Sequence, residues 1–334
     1  LRQHCRNTRT TKGNVIGLHP LLAENLVSPG THCRLRWSRA TAAATEELIG
    51  PGGERFPIVD EIPRFTNDEG YVESFGFQWT AFNVCQEDDA SVLGSRLGMP
   101  LNALNGLLVL DAGCGGGRYS RVAAEHGARV IAVDRSRAVE KARSLCQSFP
   151  NAAFVQADVT DLPFAPNTFD VVFSIGVLHH SPDPEKAFRA IASVVKPGGR
   201  LSVWVYRRNF CWQERLNSLA RRLLRKLPRR ALLAVCRAAG VLGGIPIVNR
   251  TLNKVVNFSN HPVWENRVCD NFDWYAPEFQ HHHSPDEVRG WFEANGFVAT
   301  HELFPPRQSR FYRRLLEAGW IIGSGVNMTA TRTP

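Results

Sequence analysis

Residues 110–118, LDAGCGGGR, set four glycines around Cys114, directly behind Asp111 and an apolar run. Glycine loses more conformational freedom on ordering than any other residue, so this density implies positive φ angles or a close backbone approach. The preceding run, 107–111, reads as a strand, and about 117–126 reads as a helix. A glycine loop between a strand and a helix is the context in which backbone N–H groups meet a nucleotide-like ligand.

Outward from that loop the chain alternates strands with helices. Strands are expected at 107–111, 129–133, 152–156, 169–174 and 200–206, with helices at about 117–126, 137–148 and 184–195. KPGG (196–199) is expected to stop the third of these helices. Residues 207–283 interrupt the pattern, which resumes at SPDEVRGWFEANGF (284–297), where Ser284 and Glu287 make a capping box. Strands near 298–303 and 325–331 complete the set. The fold class is therefore α/β: a Rossmann-like, seven-stranded, mostly parallel sheet with helices on both faces and a helical insertion after the fifth strand. The expected division is an N-terminal module over 1–70, a main domain over 71–206 and 270–334, and a helical insertion or lid over 207–269. Residues 1–50 show no clear periodicity. RFPIVDEIPRF (55–65) reads as a short strand pair broken by Pro57 and Pro63.

Composition narrows the setting. The 334 residues are 43% hydrophobic and 21% charged, with no repeat and no apolar run of transmembrane length. The chain begins at Leu1 and lacks the continuous apolar core of a signal peptide. Eight cysteines without CxxC pairing favour reduced thiols and a cytoplasmic setting, with a peripheral membrane contact also open. The net charge of +9 fits either an arginine-rich composition or an anionic partner.

Three further strand ends carry chemistry. Asp111 stands two residues ahead of Gly113, where a carboxylate would repel a pyrophosphate but pair with a ligand ammonium. That points to a nucleoside bearing an amino acid, and so to S-adenosylmethionine. Asp134, 21 residues past Gly113, closes the second strand and can accept both ribose hydroxyls, a device that nicotinamide cofactors share. Asp158 beside Val159 can accept from an adenine amino group. Ser174 and Ile175 are expected to line the cofactor at the end of the fourth strand.

The ordered set VLDAGCGGGR, VIAVDRS, QADVTDLPF, FDVVFSIGVLHH and VVKPGGRL resembles the class I S-adenosylmethionine-dependent methyltransferases. It is most similar to the small-molecule group that contains the quinone-biosynthesis C-methyltransferases. The resemblance covers roughly 75–206 and 270–334. It implies that Asp111, Gly113, Cys114 and Gly115 hold the methionine moiety, Asp134 with Arg135 the ribose, and Asp158 with Val159 the adenine. It also implies S-adenosylhomocysteine as the product. ESFGFQW (73–79) is similar to the helix that some of these enzymes fold over the cofactor, which brings in Phe77 and Gln78. The piece FPIVDEIPRF often follows a zinc-ribbon-like module in similar bacterial proteins. Here only Cys5 and Cys33 precede it, so a degenerate module without metal is expected.

Methyl transfer from a sulfonium needs alignment and exclusion of water, and a base only where the nucleophile loses a proton. His179 and His180 follow the fourth strand and are the candidates for that base. Tyr206, Trp274, Tyr275 and His281 are expected to line the site of a small, apolar or aromatic acceptor. In 213–227, Leu216, Leu219, Ala220, Leu223, Leu224 and Leu227 share one helical face, with Arg215, Arg221, Arg222, Arg225 and Lys226 opposite. Over 213–242 this describes either a lid with a solvated basic back or a surface for anionic lipid. Nucleic acid is not expected, because the basic residues back an apolar stripe instead of flanking exposed aromatics. Two other classes remain: a nicotinamide-dependent oxidoreductase, disfavoured by Asp111, and a non-catalytic cofactor-binding or membrane-associated scaffold.

Overall fold

The computed structural model describes residues 18–39, 46–66, 70–81, 88–209, 212–252, 257–304, 314 and 325–334. Helix α1 (Pro20–Asn25) is followed by strands β1 (Arg36–Arg39), β2 (Glu46–Ile49), β3 (Arg55–Val59) and β4 (Ile62–Pro63), which form an antiparallel sheet in that order. Helices α2 (Glu73–Ala81) and α3 (Asp89–Leu97) lead into an alternating series: β5 (Leu108–Ala112), α4 (Arg118–Glu125), β6 (Arg129–Asp134), α5 (Ala138–Leu145), β7 (Ala152–Gln156) and β8 (Phe169–Ile175). The series continues with α6 (Pro184–Ser193) and β9 (Val195–Tyr206). Four helices follow, α7 (Trp212–Leu224), α8 (Arg229–Gly243), α9 (Pro246–Leu252) and α10 (Trp264–Tyr275). The chain closes with α11 (Pro285–Ala294), β10 (Phe297–Glu302) and β11 (Gly325–Arg332).

The main sheet has seven strands in the order β10-β11-β9-β8-β5-β6-β7, and only β11 runs against its neighbours. Strand alternation builds its two core layers. Leu108, Leu110 and Ala112 join Ile131 and Val133 on one face, while Val109 joins Val130, Ala132 and Phe154 on the other. Both faces are covered, so β5 and β7 are buried along their whole length. Strand order reverses beside β5, between β6 and β8, and the glycine loop sits at that switch point.

The expected strands agree with these to within a residue or two, except the fifth. β9 begins at Val195, and its register with β8 slips between Phe169 and Val171. Gly198 adopts φ +74°, so KPGG starts the strand with an irregularity instead of forming a separate stop. The capping box forms as expected, with Ser284 Oγ accepting from Glu287 N.

Two expectations need correction. Residues 18–39 and 46–50 are not loosely structured: Leu21, Leu22 and Leu48 enter the same core layer as β5 and β6. Arg64 ties the small sheet to the large one, donating to Gln156 Oε1 (2.8 Å) and Glu140 Oε1 (3.0 Å). The described residues of 18–66 thus share the core of the main domain; Cys5 lies outside the described residues. The boundary drawn at 269/270 also falls inside α10. That helix packs Val268, Phe272 and Tyr275 against Leu232 and Cys236 of α8, with Ala220 and Leu224 of α7 beside them.

The larger correction concerns α7. Read as a lid, the helix would turn its leucine stripe inward; read as a surface for anionic lipid, outward. Leu216, Leu219 and Leu223 are 38%, 53% and 59% exposed, against the lid orientation, and Arg215 and Arg222, expected opposite the leucines, fall within about 60° of Leu219. Gln213, Asn217 and Arg221 face the cavity described next.

Candidate active site

Three of the four loop glycines have positive φ: Gly113 (+93°), Gly115 (+51°) and Gly117 (+85°). A Cβ on Gly113 would stand 2.4 Å from Val177 Cγ2. The loop is pinned from β6, since Gly113 N and Cys114 N both donate to Val133 O, and Gly115 N donates to Asp134 Oδ2 (2.8 Å). Asp134 Oδ1 also accepts from Ser136 N (2.8 Å) and Ser136 Oγ (2.6 Å). The carboxylate at the end of the second strand therefore shapes the loop before any ligand meets it.

A cavity of about 850 Å³ opens over this loop. Asp111, Gly113, Cys114, Gly115, Asp134 and Arg135 line one end, with Val159, Ile175 and Gln78 alongside. Asp111 is 3% exposed and accepts a 2.6 Å bond from Ser120 Oγ. Burial pushes its carboxyl up to about 7, against the pull of Ser120. Burial likewise pushes the Cys114 thiol up, so it stays protonated.

Two expected cofactor residues are used differently. Asp158 does not line the cavity. It accepts from Thr160 N and Oγ1 (both 2.8 Å), from Tyr71 OH (3.2 Å) and from Arg135, whose guanidinium lies 4.9 Å from the Tyr71 ring centroid. Ser174 is fully buried and donates to Ala112 O (2.8 Å), so it braces β8 against β5. The side chain of Phe77 lies outside the described residues, while its neighbour Gln78 reaches Cys269 and Asp273 from α2.

At the other end, β8, β9 and the inserted helices converge. His179 is fully buried, and neither ring nitrogen has a hydrogen-bond partner among the described residues. Its ring centroid lies 4.0 Å from Tyr206, 4.1 Å from His180 and 5.9 Å from Trp204. Burial, with four neighbouring histidines, keeps it neutral well below its ordinary range. His180 is also neutral, held down to about 3 by burial, and its Nδ1 is bonded to Phe279 O (2.9 Å). Tyr206 OH donates to Asp273 Oδ2 (2.8 Å), and burial lifts Asp273 to about 6.

Trp274 and Tyr275 line the cavity as expected, but His281 does not. In the extended run 281–283, alternate side chains point to opposite sides. His281 and His283 stack on one another, while His282 faces the cavity 5.8 Å from Tyr206. No cluster of metal-ligating side chains occurs among the described residues.

Sequence reasoning missed Arg221, Asp273 and Tyr71. Arg221 lines the cavity and donates to Pro277 O, and burial lowers it to about 10. Asp273 was legible in principle. Asn266, Asp270 and Asp273 form a polar stripe at helical spacing along α10, opposite Val268, Phe272 and Tyr275, and all three polar residues line the cavity.

Residues 110–203 match a family described as a methyltransferase domain. That segment, from β5 into β9, is thus similar to a methyltransferase domain. It is 37% identical over 109 residues to a ubiquinone biosynthesis O-methyltransferase of Coxiella burnetii, covering 32% of this chain and 47% of that one. A ubiquinone biosynthesis O-methyltransferase of Pseudomonas paraeruginosa is 31% identical over 164 residues, covering 48% and 63%. The chain thus spans about half to two thirds of the length of these relatives. Among solved structures it is similar to the Burkholderia thailandensis 1,6-didemethyltoxoflavin-N1-methyltransferase, at 17% identity, 90% and 100% coverage and a TM-score of 0.42. The cofactor of this class fits the donor set: a buried carboxylate faces the cavity beside a loop stripped of side chains, and a second stands at the next strand end.

Proposed function

We propose that this protein transfers the methyl group of S-adenosylmethionine to a hydroxyl oxygen of a small aromatic acceptor. The observation that carries this reading is His179, a buried neutral imidazole with two unpartnered nitrogens on the cavity wall. The names of the curated relatives support an oxygen nucleophile and a quinone-related acceptor.

When bound, S-adenosylmethionine supplies an electrophilic methyl on a sulfonium, and the protein's own residues do the rest. Asp111 holds the ammonium, with the 113–115 backbone beside it, and Asp134 shares its carboxylate between the loop and the ribose. Val159 and Ile175 give apolar walls to the adenine end. At the acceptor end, Tyr206, Trp274, Tyr275 and His282 line the cavity against an aromatic ring. His179 accepts the hydroxyl proton at a ring nitrogen.

The test is transfer of labelled methyl to a panel of catechol- and hydroquinone-type acceptors. His179→Gln should lower kcat by roughly 10²–10⁴-fold with S-adenosylhomocysteine affinity unchanged. A full rate in that variant removes His179 from the mechanism. Calorimetric binding of NAD(H) with none of S-adenosylhomocysteine would overturn the whole reading.

A further inference from the structure

Helix α7 turns its polar side to the cavity and its leucines to solvent, the reverse of the usual burial pattern. Leu216, Leu219 and Leu223 recur every three or four residues and define one stripe, and Leu227 follows in the turn beyond, 39% exposed. At about 100° per residue, Arg215 and Arg222 fall within about 60° of Leu219, on one flank of that stripe. Both are exposed, as are Lys226 and Arg230 just beyond the helix. Residues 212–252 contain nine Arg and Lys and a single acid, Glu214. That acid is turned away from the stripe, taking Asn209 N (2.8 Å) and facing His282 Nδ1 (3.4 Å). Further along the same helical unit, Val241, Ile245 and Ile247 are 57%, 43% and 77% exposed.

We propose that the outward face of α7 docks on an anionic lipid surface, its leucines entering the acyl boundary and its arginines meeting the headgroups. An apolar stripe flanked by cations with no acid among them matches a negatively charged interface on both counts. A second copy of the chain would bring two strongly basic faces together, and a single-stranded nucleic acid would call for exposed aromatics where leucines stand. The proposal is independent of the chemistry in the cavity. Because Gln213, Asn217 and Arg221 of the same helix line the acceptor end, docking would set that end about one helix diameter, ~10 Å, from the lipid.

Co-sedimentation of the full chain with phosphatidylcholine vesicles, with and without phosphatidylglycerol, tests this. Binding should require the anionic lipid, weaken with salt, and fall by about tenfold or more in Leu219→Gln/Leu223→Gln. These leucines face solvent in the free chain, so the variant should keep its melting temperature and its affinity for S-adenosylhomocysteine. Arg215→Glu/Arg222→Glu should lose the preference for anionic vesicles. The proposal is overturned by no sedimentation with anionic vesicles, by unchanged binding of the leucine variant, or by gel filtration in which that variant dissociates a dimer.

Discussion

Replacing Asp111 by asparagine separates what this carboxylate does for the fold from what it does for the cofactor. The group is buried behind the glycine loop, and its carboxyl is lifted from an ordinary value near 4 to about 7. A folded-state pKa above the unfolded one means that the native state holds the proton more tightly. The stability this contributes is complete below pH 4 and is lost as pH rises to 7. Three pKa units correspond to about 4 kcal/mol, an upper bound for what Asp111→Asn restores at pH 8. The amide can still accept from Ser120 Oγ, so the melting temperature should rise. Cofactor affinity should move the other way. If the ionised carboxylate is what pairs with the cofactor's ammonium, then wild-type affinity for S-adenosylhomocysteine is about tenfold weaker at pH 6 than at pH 8, and roughly ninetyfold weaker at pH 5. Titration calorimetry from pH 5 to 8, in two buffers of different ionisation enthalpy, reads both the affinity and the proton released. In Asp111→Asn the affinity should be low and its pH dependence flat. A wild-type affinity that does not change across this range, or an asparagine variant that binds as well as wild type, would refute the assignment of Asp111 to the ammonium.

Two other outcomes follow from the geometry. Gly117→Ala would place a Cβ 2.7 Å from both Cα and Cβ of the buried Ala142, at φ +85°, and should cost about 2–4 kcal/mol in urea unfolding; a loss below about 0.5 kcal/mol would mean that α4 and α5 are less closely packed there. Tyr206→Phe removes the shorter of the two hydrogen bonds to the buried Asp273 carboxyl and leaves only Gln78 at 3.5 Å, which raises its pKa further above the present value of about 6. The destabilisation should therefore be about 1–3 kcal/mol at pH 8, where the carboxylate is charged, and smaller at pH 5. An equal loss at both pH values would contradict the Tyr206–Asp273 hydrogen bond.

Much of this molecule was legible from local pattern. The strands of the main sheet announce themselves because β5 and β7 are buried on both faces and read as mostly apolar runs, broken only by Asp111 in β5 and Gln156 at the end of β7. The glycine loop is legible because positive φ at Gly113, Gly115 and Gly117 strongly favours the residue without a Cβ. Asp111 and Asp134 could be placed because each closes a strand beside that loop. The roles of Asp158 and Ser174 were not available in the same way. Asp158 is held by Arg135 and Tyr71, and Tyr71 lies 87 residues away in sequence.

The α7 helix marks the boundary between the two kinds of information. Its sequence specifies an amphipathic helix with a leucine face and a face carrying Gln213, Asn217 and Arg221, and periodicity stops there. Which face turns inward depends on what the rest of the chain offers to pack against. Among the described side chains of α7, Ala220 and Leu224 meet the apolar surface of α8 and α10, while the polar face closes a cavity lined by Asn266, Asp270 and Asp273. The sheet, the glycine loop and the two strand-end carboxylates follow from local pattern, because those features rest on neighbours a few residues apart. The meeting of Arg221, Asp273, His282 and His179 on one cavity wall, and the leucines left in solvent, depend on how the folded chain packs. There, burial is a competition between surfaces from distant parts of the chain.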